Sequence, residues 1–154
     1  MKQLAYVIAG AVLASCLFLA AGWLTIPTYK AVTTTSPDCA WPASLDAVAA
    51  APKNHRVVLE NVHVRVLEVT VQPGERESLH AHCMPSVMYL MHEGPYKDYG
   101  PNGELLEEVA EAAPVDKFPM TLWLEPQGPH AVENLDSQPV RLLRVELKNP
   151  RSGI

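Results

Sequence analysis

The chain has 154 residues, with 17 acidic and 12 basic side chains and a formal net charge of −5 at pH 7. This length suits a single small domain. Fourteen prolines argue against a helical bundle, and an acidic balance without a basic stripe argues against a nucleic-acid binder.

The N-terminal residues differ from the rest of the chain. Residues 4–26 carry no charge, and 20 of the first 26 residues are apolar. As a helix this run spans about 35 Å, enough to cross a hydrocarbon core of about 30 Å. Lys2 precedes the run, which predicts that the following chain lies on the exported side of a bacterial inner membrane. Residues 1–26 are therefore predicted to be a signal peptide or a transmembrane anchor.

Three exported forms remain open for this segment. The helix can stay in the membrane as an anchor, or cleavage after Gly22 can release a secreted protein. Residues 13–16 also resemble a bacterial lipobox, in which Cys16 would carry the lipid. All three forms place the following domain outside the inner membrane, in the periplasm if it stays attached.

Two cysteines follow this segment, Cys39 and Cys83. In an oxidising compartment they can form one disulfide. Two free thiols are an equal alternative, because sequence separation does not show whether the Cα atoms come within about 7 Å.

Residues 27–42 are rich in threonine and proline without a period. This composition predicts a linker, and residues 43–154 then form the domain. The domain is predicted to open with a short helix at residues 44–51, which Ser44 caps and Pro52 ends.

From residue 56 onward the hydrophobic period is two and β-branched residues are frequent, which predicts strands. The predicted strands cover residues 56–60, 63–71, 77–82, 86–92, 120–124, 130–135 and 140–148. Residues 94–103 predict a long turn or hairpin. Residues 104–113 predict a helix by propensity, or a distorted strand followed by a loop. Short strands separated by turn residues indicate an all-β sandwich or barrel.

Three of the six histidines form a pattern that indicates a metal site. His80 and His82 are one residue apart, so in a strand both imidazoles face the same way. His130 follows a Pro-Gly-Pro turn that can deliver a third ligand to the same place. Neutral imidazoles suit zinc, copper, iron and nickel. Three protein ligands would leave a coordination position open for a small molecule.

The same segments resemble the two motifs of the cupin superfamily. Residues 74–82 read Gly-x5-His-x-His, and residues 126–134 read Pro-x-Gly-Pro-His-x3-Asn. The second segment is one residue shorter between glycine and histidine than the usual motif. The resemblance covers residues 55–148 and implies a small cupin-type double-stranded β-helix, a jelly-roll barrel with its site in the barrel mouth.

The resemblance also implies a ligand that this chain lacks. Cupins with a full metal set carry a glutamate four or five residues after the His-x-His pair, where this chain has Ser86 and Val87. Counting back from Gly94 makes Val87 the expected position. We expect a divalent iron, manganese, zinc, nickel or copper ion to bind a ligand set of three histidines, His80, His82 and His130. The alternative is a cupin that has lost its metal and keeps these histidines as polar residues.

Other candidate residues have weaker patterns. Cys83 adjoins His82, but neighbouring strand residues face opposite ways, so it is expected to face outward or pair with Cys39. Tyr89 is a candidate cavity residue, with a core tyrosine as the alternative. Three further histidines lack a partner pattern and are predicted to be surface or structural residues: His55, His63 and His92.

Two kinds of function follow from these observations. The first is an exported, membrane-tethered cupin that binds a divalent metal and acts on a small molecule in an oxygenase- or isomerase-type reaction. The second is a non-catalytic module that binds a small molecule or a metal, or an envelope scaffold. Membrane contact is expected through residues 4–26, and the pairing of many cupins through their sheets implies that a homodimer can form.

Overall fold

A computed structural model describes residues 39–148 of the chain. The predicted leader, with the lipobox cysteine Cys16, and residues 27–38 of the predicted linker lie outside the described residues. Within the described part, no helix is both long enough and apolar enough to cross a membrane.

The described chain consists mainly of β-strands. A 3-10 turn at Ala43–Leu45 and a short helix, α1, at Ala47–Ala50 precede the strands. A second 3-10 turn lies at Val115–Lys117. The strands are β1 His55–Glu60, β2 Val64–Val71, β3 His80–His82, β4 Ser86–His92, β5 Tyr96–Tyr99, β6 Leu105–Val109, β7 Met120–Leu124, β8 Gln127–Asn134 and β9 Val140–Leu147.

The strands form two antiparallel sheets. One sheet has the order β1-β2-β9-β4-β7, and the other has the order β3-β8-β5-β6. Neighbours such as β2 and β9 are far apart in sequence, so the chain crosses repeatedly from one sheet to the other. The predicted all-β architecture is confirmed, and strands β4 and β7 have the predicted bounds.

The hydrophobic core lies between the sheets and follows from strand alternation. Every second side chain of β2 is buried, and the same holds along β9. Because β9 lies between β2 and β4, buried residues of these strands form one apolar cluster: Leu67, Val69, Val71, Leu90, Val140 and Leu142. The buried face of β2 also carries Arg65, and the buried face of β9 also carries Arg144 and Glu146. The interior therefore becomes polar at one end.

Two local predictions differ from the structure. Asp46, rather than Ser44, caps the helix, and its Oδ1 accepts a hydrogen bond from the Val48 backbone N–H at 3.1 Å. Residues 104–113 contain strand β6, the second of the two alternatives, in place of the helix that propensity favours. Pairing with β5 satisfies the β6 backbone, which shows tertiary context overriding propensity. Strand β5 itself lies within the predicted turn region.

Cys39 and Cys83 form a disulfide, with their Cα atoms 5.1 Å apart. This resolves the alternative between a bridge and two free thiols, and it removes Cys83 from the candidate ligands. Since Cys83 follows β3 directly, the bridge holds the start of the described chain beside His82.

Candidate metal centre

Four buried histidines meet at the polar end of the interior. His55 begins β1, His80 and His82 lie on β3, and His130 lies on β8. The ring centroid of His80 lies 4.4 Å from that of His55, 5.1 Å from that of His82 and 4.6 Å from that of His130. His80 is therefore the central member of the cluster.

The tightest group contains two of the three predicted ligands. One nitrogen each from His55, His80 and His82 lies within 4.8 Å of the others. His130 lies beside this group, because it is the cross-strand partner of His80 in the β3–β8 pair. The structure thus brings all three predicted residues together and adds His55, for which we predicted a surface or structural position.

The hydrogen bonds of the two cross-strand histidines fix their tautomers. His80 Nδ1 lies 2.9 Å from the Ser78 carbonyl oxygen, and His130 Nδ1 lies 2.8 Å from the Gly128 carbonyl oxygen. A carbonyl oxygen can only accept, so each Nδ1 donates its hydrogen. The lone pair of each neutral ring is then on Nε2, where a metal can bind.

The other two histidines follow the same rule, with carboxyl groups beside them. His82 Nδ1 donates to Glu146 Oε1 at 2.8 Å. His55 Nδ1 donates to the Ala51 carbonyl at 3.3 Å, and Glu77 Oε1 lies 3.8 Å from the same nitrogen. Metal-binding histidines commonly have such a carboxylate or carbonyl on the second ring nitrogen. All four Nε2 atoms are therefore left with a lone pair.

A chain of ion pairs supports His82 from behind. Arg65 Nε donates to Glu146 Oε2, and its Nη1 and Nη2 atoms donate to the two carboxylate oxygens of Asp46 at 3.0 and 2.8 Å. Asp46 is also the cap of α1. The orientation of the His82 ring therefore depends on β2, β9 and α1 together.

Burial favours the neutral form of three of these histidines. It lowers the pKa of His55 to about 4 and that of His80 to about 3, and it lowers the pKa of His82 well below its ordinary value. The positive charge of Arg144 lowers the pKa of His82 further. At neutral pH these rings are free bases, the form that binds a metal.

Arg144 lies on the inner face of β9 and lines the cavity beside the histidines. Its Nη1 atom donates to Gln127 Oε1 at 2.6 Å, whereas Nε and Nη2 are buried without a hydrogen-bond partner. Burial lowers the pKa of Arg144 to about 10, so the guanidinium stays charged at neutral pH. Glu146 lies close enough to offset part of that charge.

The structure shows where the missing glutamate would stand. Ser86 is fully buried and its Oγ has no partner. Val87, the position expected from counting, is only half-buried and pairs with Trp123 and Val145. A carboxylate would therefore reach the interior from position 86. Glu146 lies directly opposite Ser86 on β9, so this chain carries a carboxylate one strand away, against the back of His82.

Other motif residues have structural roles. Gly74 has a φ of 71°, a conformation that side chains disfavour, and its N–H donates to the Asn134 carbonyl. The Asn134 side chain donates to the carbonyls of Val71 and Gln138. A Cβ on Gly128 would lie 3.3 Å from the indole of Trp41. These glycines and the asparagine hold the strands that carry the histidines.

The remaining candidates lie away from the centre. Tyr89 is 42% exposed, so it is neither a cavity residue nor a core residue. His92 Nε2 lies 3.1 Å from Asp136 Oδ2, and His63 is exposed.

A cavity of about 310 Å³ opens beside the histidines. All four imidazoles line it, together with apolar side chains of both sheets, among them Met88, Leu122, Leu124, Val132 and Leu142. A concave, largely apolar space with a few convergent polar groups is the usual form of a small-molecule site.

The residues present fit a divalent metal. Neutral imidazoles with oriented Nε2 lone pairs suit zinc, copper, iron and nickel. The two guanidinium groups nearby, Arg65 and Arg144, are balanced by the carboxyl groups of Asp46 and Glu146, which interact with them. The identity of the metal is left open by this donor set.

No protein-family model and no curated protein sequence matches this chain. Among solved structures, a cupin domain from Bordetella pertussis is 22% identical, with coverage of 60% of this chain and 90% of that chain and a TM-score of 0.47. A protein with a double-stranded β-helix domain from Klebsiella pneumoniae is 15% identical, with coverage of 80% and 95% and a TM-score of 0.44. A cupin family protein from Methanocaldococcus jannaschii is 12% identical, with coverage of 60% and 77% and a TM-score of 0.43. The two segments that resemble the cupin motifs, at residues 74–82 and 126–134, lie in this chain within a fold of two antiparallel sheets.

Proposed function

We propose that this chain is an exported, membrane-tethered domain that binds a divalent transition metal through buried histidines and a small molecule in the adjoining cavity. One observation carries the proposal: four imidazoles converge, and each is held by a hydrogen bond through Nδ1. If the imidazoles only filled the interior, we would expect some of them to form hydrogen bonds through Nε2 as well. Among the described residues, the hydrogen bonds of these four rings are made through Nδ1.

His80 and His82 are the central ligands of this proposal, with His55 and His130 as the further donors. A metal held in this way, with a position left open, supplies Lewis-acid polarisation or dioxygen chemistry to a small molecule. The chain itself orients the rings through the Glu146 carboxylate and the backbone carbonyl oxygens of Ala51, Ser78 and Gly128. An oxygenase- or isomerase-type conversion is the activity that such a site would support.

Export is supported by two independent features. Lys2 before the apolar residues 4–26 predicts that the domain lies outside the inner membrane. The Cys39–Cys83 disulfide is typical of an oxidising compartment. Protease protection of the domain in intact spheroplasts would contradict this location. Incorporation of labelled palmitate that is lost in Cys16→Ser would identify the lipoprotein form.

Elemental analysis tests the metal site. We expect the full-length chain, purified without a histidine tag, to hold about one equivalent of transition metal, and His80→Ala to lose it. His63→Ala is the matched control, because that histidine is exposed. Less than half an equivalent in the native chain after incubation with Zn²⁺, unchanged in His80→Ala, would refute the site.

The pair His55→Ala and His130→Ala identifies the further ligands. If both bind in addition to the central pair, each substitution lowers zinc affinity by at least about tenfold. If only the tight group binds, His55→Ala alone has this effect.

Measurement of product formation distinguishes the catalytic function from the non-catalytic alternative. A screen of small molecules with metal-loaded protein, under air and under nitrogen, distinguishes oxygen-dependent conversion from isomerisation. Saturable binding without any product would favour the binding module, whose cavity and histidines are the same.

A further inference from the structure

A second polar feature of the cavity is a line of carboxyl groups next to the histidines. On β5 and β6, Asp98 and Glu107 are directly opposite each other. Asp98 is also opposite Val132 of β8, and the Glu77 backbone N–H donates to the Val132 carbonyl. Glu77, Asp98 and Glu107, which we call the acidic row, therefore cross the inner face of the smaller sheet.

The acidic row is adjacent to the metal centre. Val132 is two residues after His130 on β8, so both side chains lie on the same face. All three members of the row line the same cavity as the four histidines. A molecule that fills this cavity can contact the row and the histidines at once.

The innermost member of the row has an unused hydrogen-bond acceptor. Glu77 is 7% exposed, lines the cavity, and its Oε1 is buried without a hydrogen-bond partner. Asp98 Oδ1 is likewise without a partner. A buried acceptor that is left unsatisfied destabilises the folded protein, and a donor on a ligand would remove this cost.

The row runs from the interior to the surface, and within residues 39–148 no Lys or Arg side chain pairs with it. Asp98 is half-buried and Glu107 is exposed, so the row leads from the cavity mouth towards the histidines. Among the described residues that line the cavity, Arg144 is the one Lys or Arg side chain, and it belongs to the opposite sheet. Like charges directly opposite each other on neighbouring strands destabilise a sheet, and a bound cation would offset this cost.

The spacing favours an organic cation over a second metal. Among the described residues, the histidines alone form a group of possible ligands whose atoms come within 4.8 Å of one another. The carboxyl groups of the row do not form such a group, so the structure does not bring them together as a metal site. An ammonium group has three N–H donors on a chain that can adjust its position, and the aromatic ring of Tyr96 also lines the cavity and can contact a cation.

We propose that the acidic row binds the ammonium group of a small organic amine, with the rest of that molecule directed towards the histidines. Asp98 and Glu107 supply the negative charge, and Glu77 Oε1 supplies the free acceptor. This inference extends the proposed function of the same cavity. It rests on that function for the part of the amine that would contact the metal.

Calorimetric titration with n-butylammonium tests the row itself. The full-length chain is first dialysed against EDTA, so that the amine cannot bind a metal. We expect n-butylammonium to bind at least about tenfold more tightly than n-butanol, which has the same shape without the charge. Asp98→Asn should lower the affinity for the amine about tenfold. Glu108→Gln is the matched control, because this neighbour pairs with Lys97 on the other face of the hairpin.

Equal affinities for the amine and the alcohol would overturn the proposal, as would an unchanged affinity in a folded Asp98→Asn variant. If that variant does not fold, Glu107→Gln replaces it, because this exposed side chain is not required for packing, and a decrease of about threefold is expected. If the native chain binds n-butylammonium but no metal, the proposed function is refuted and this inference is not. If the native chain binds metal but does not prefer n-butylammonium over n-butanol, only this inference is refuted.

Discussion

Replacement of Glu146 by glutamine tests how the metal centre is built. Glu146 accepts from two donors at once, His82 Nδ1 through Oε1 and Arg65 Nε through Oε2. A glutamine has the same shape but only one acceptor oxygen. Whichever donor the oxygen serves, the other faces the amide NH₂ group.

Both consequences can be given a magnitude. Removing one charge from a buried ion pair lowers the free energy of unfolding by about 3–5 kcal/mol. The amide oxygen of the glutamine still accepts one hydrogen bond and offsets part of this cost, so we expect the free energy of unfolding to decrease by about 3 kcal/mol. For a domain of this size that corresponds to a fall in Tm of about 12 °C. If the NH₂ group faces His82, the ring must accept through Nδ1 and carry its hydrogen on Nε2, which blocks the ligand atom. Zinc affinity should therefore fall about 10- to 100-fold.

The two effects are measured separately. Thermal unfolding followed by circular dichroism in EDTA gives the change in stability, and zinc titration at a temperature where the variant is folded gives the change in affinity. Glu108→Gln is again the control, since it neutralises a half-exposed carboxylate that pairs with Lys97 at 3.5 Å and should shift neither quantity measurably.

A folded Glu146→Gln variant whose zinc affinity stays within twofold of the native value would refute the orienting role of Glu146. A decrease in Tm of less than about 3 °C would instead show that the Arg65–Glu146 ion pair contributes little to the free energy of unfolding.

Four further predictions concern the scaffold. The paired change Cys39→Ser and Cys83→Ser opens a loop with a sequence separation of 44, which should cost about 4 kcal/mol of unfolding free energy in urea. For metal-free protein, burial lowers the pKa of His80 to about 3, below the unfolded value of about 6.5, so the contribution of His80 to stability should fall as pH drops from 6.5 towards 3. Burial raises the pKa of Glu77 to about 8, so the contribution of Glu77 should fall as pH rises from about 4.5 to 8 and should oppose that of His80 between pH 4.5 and 6.5, and Glu77→Gln should remove it. Leu67→Ala should cost about 2–5 kcal/mol, because this fully buried side chain leaves a cavity.

Each of these has an outcome that would contradict it. Reduced and oxidised protein with equal urea midpoints would show that the bridge does not restrict the unfolded chain. A pH profile of unfolding free energy that is flat between pH 4 and 8, and identical in Glu77→Gln, would contradict both pKa shifts. Leu67→Ala within 1 kcal/mol of the native protein would mean that the core repacks around the site.

Local pattern was sufficient for most of the strands, although not for β5 and β6, and for the first two histidines of the predicted site. Alternation of apolar and polar residues predicted β2 and β9, because each strand has one buried face. His80 and His82 were predictable as neighbours for the same reason, since residues two apart in a strand share a face. The prediction that His130 lies beside them depended on the resemblance of residues 74–82 and 126–134 to the two cupin motifs, because no local rule brings β3 and β8 together.

His55 and Glu146 could not be predicted in this way, because their positions depend on strand register. His55 is placed by pairing with Val69, and Glu146 by pairing with Ser86 on β4 and Arg65 on β2. Nothing in the local sequence reveals which residues of separate strands come opposite each other. The choice between helix and strand for residues 104–113 was left open for a related reason, because pairing with β5 outweighs the helix propensity of the glutamates and leucines in this segment.

The position of Glu146 has a consequence for the choice of metal. In a cupin with a full ligand set the carboxylate binds the metal directly, whereas here it contacts the far side of His82. The ligands that we propose for the metal are then all imidazole nitrogens. Such a set suits zinc, copper, nickel or iron, whereas manganese prefers carboxylate and other oxygen ligands. We therefore expect manganese to bind most weakly of the five metals, and Ser86→Glu, which returns a carboxylate to the interior opposite Glu146, to narrow the difference between manganese and zinc in competitive titrations.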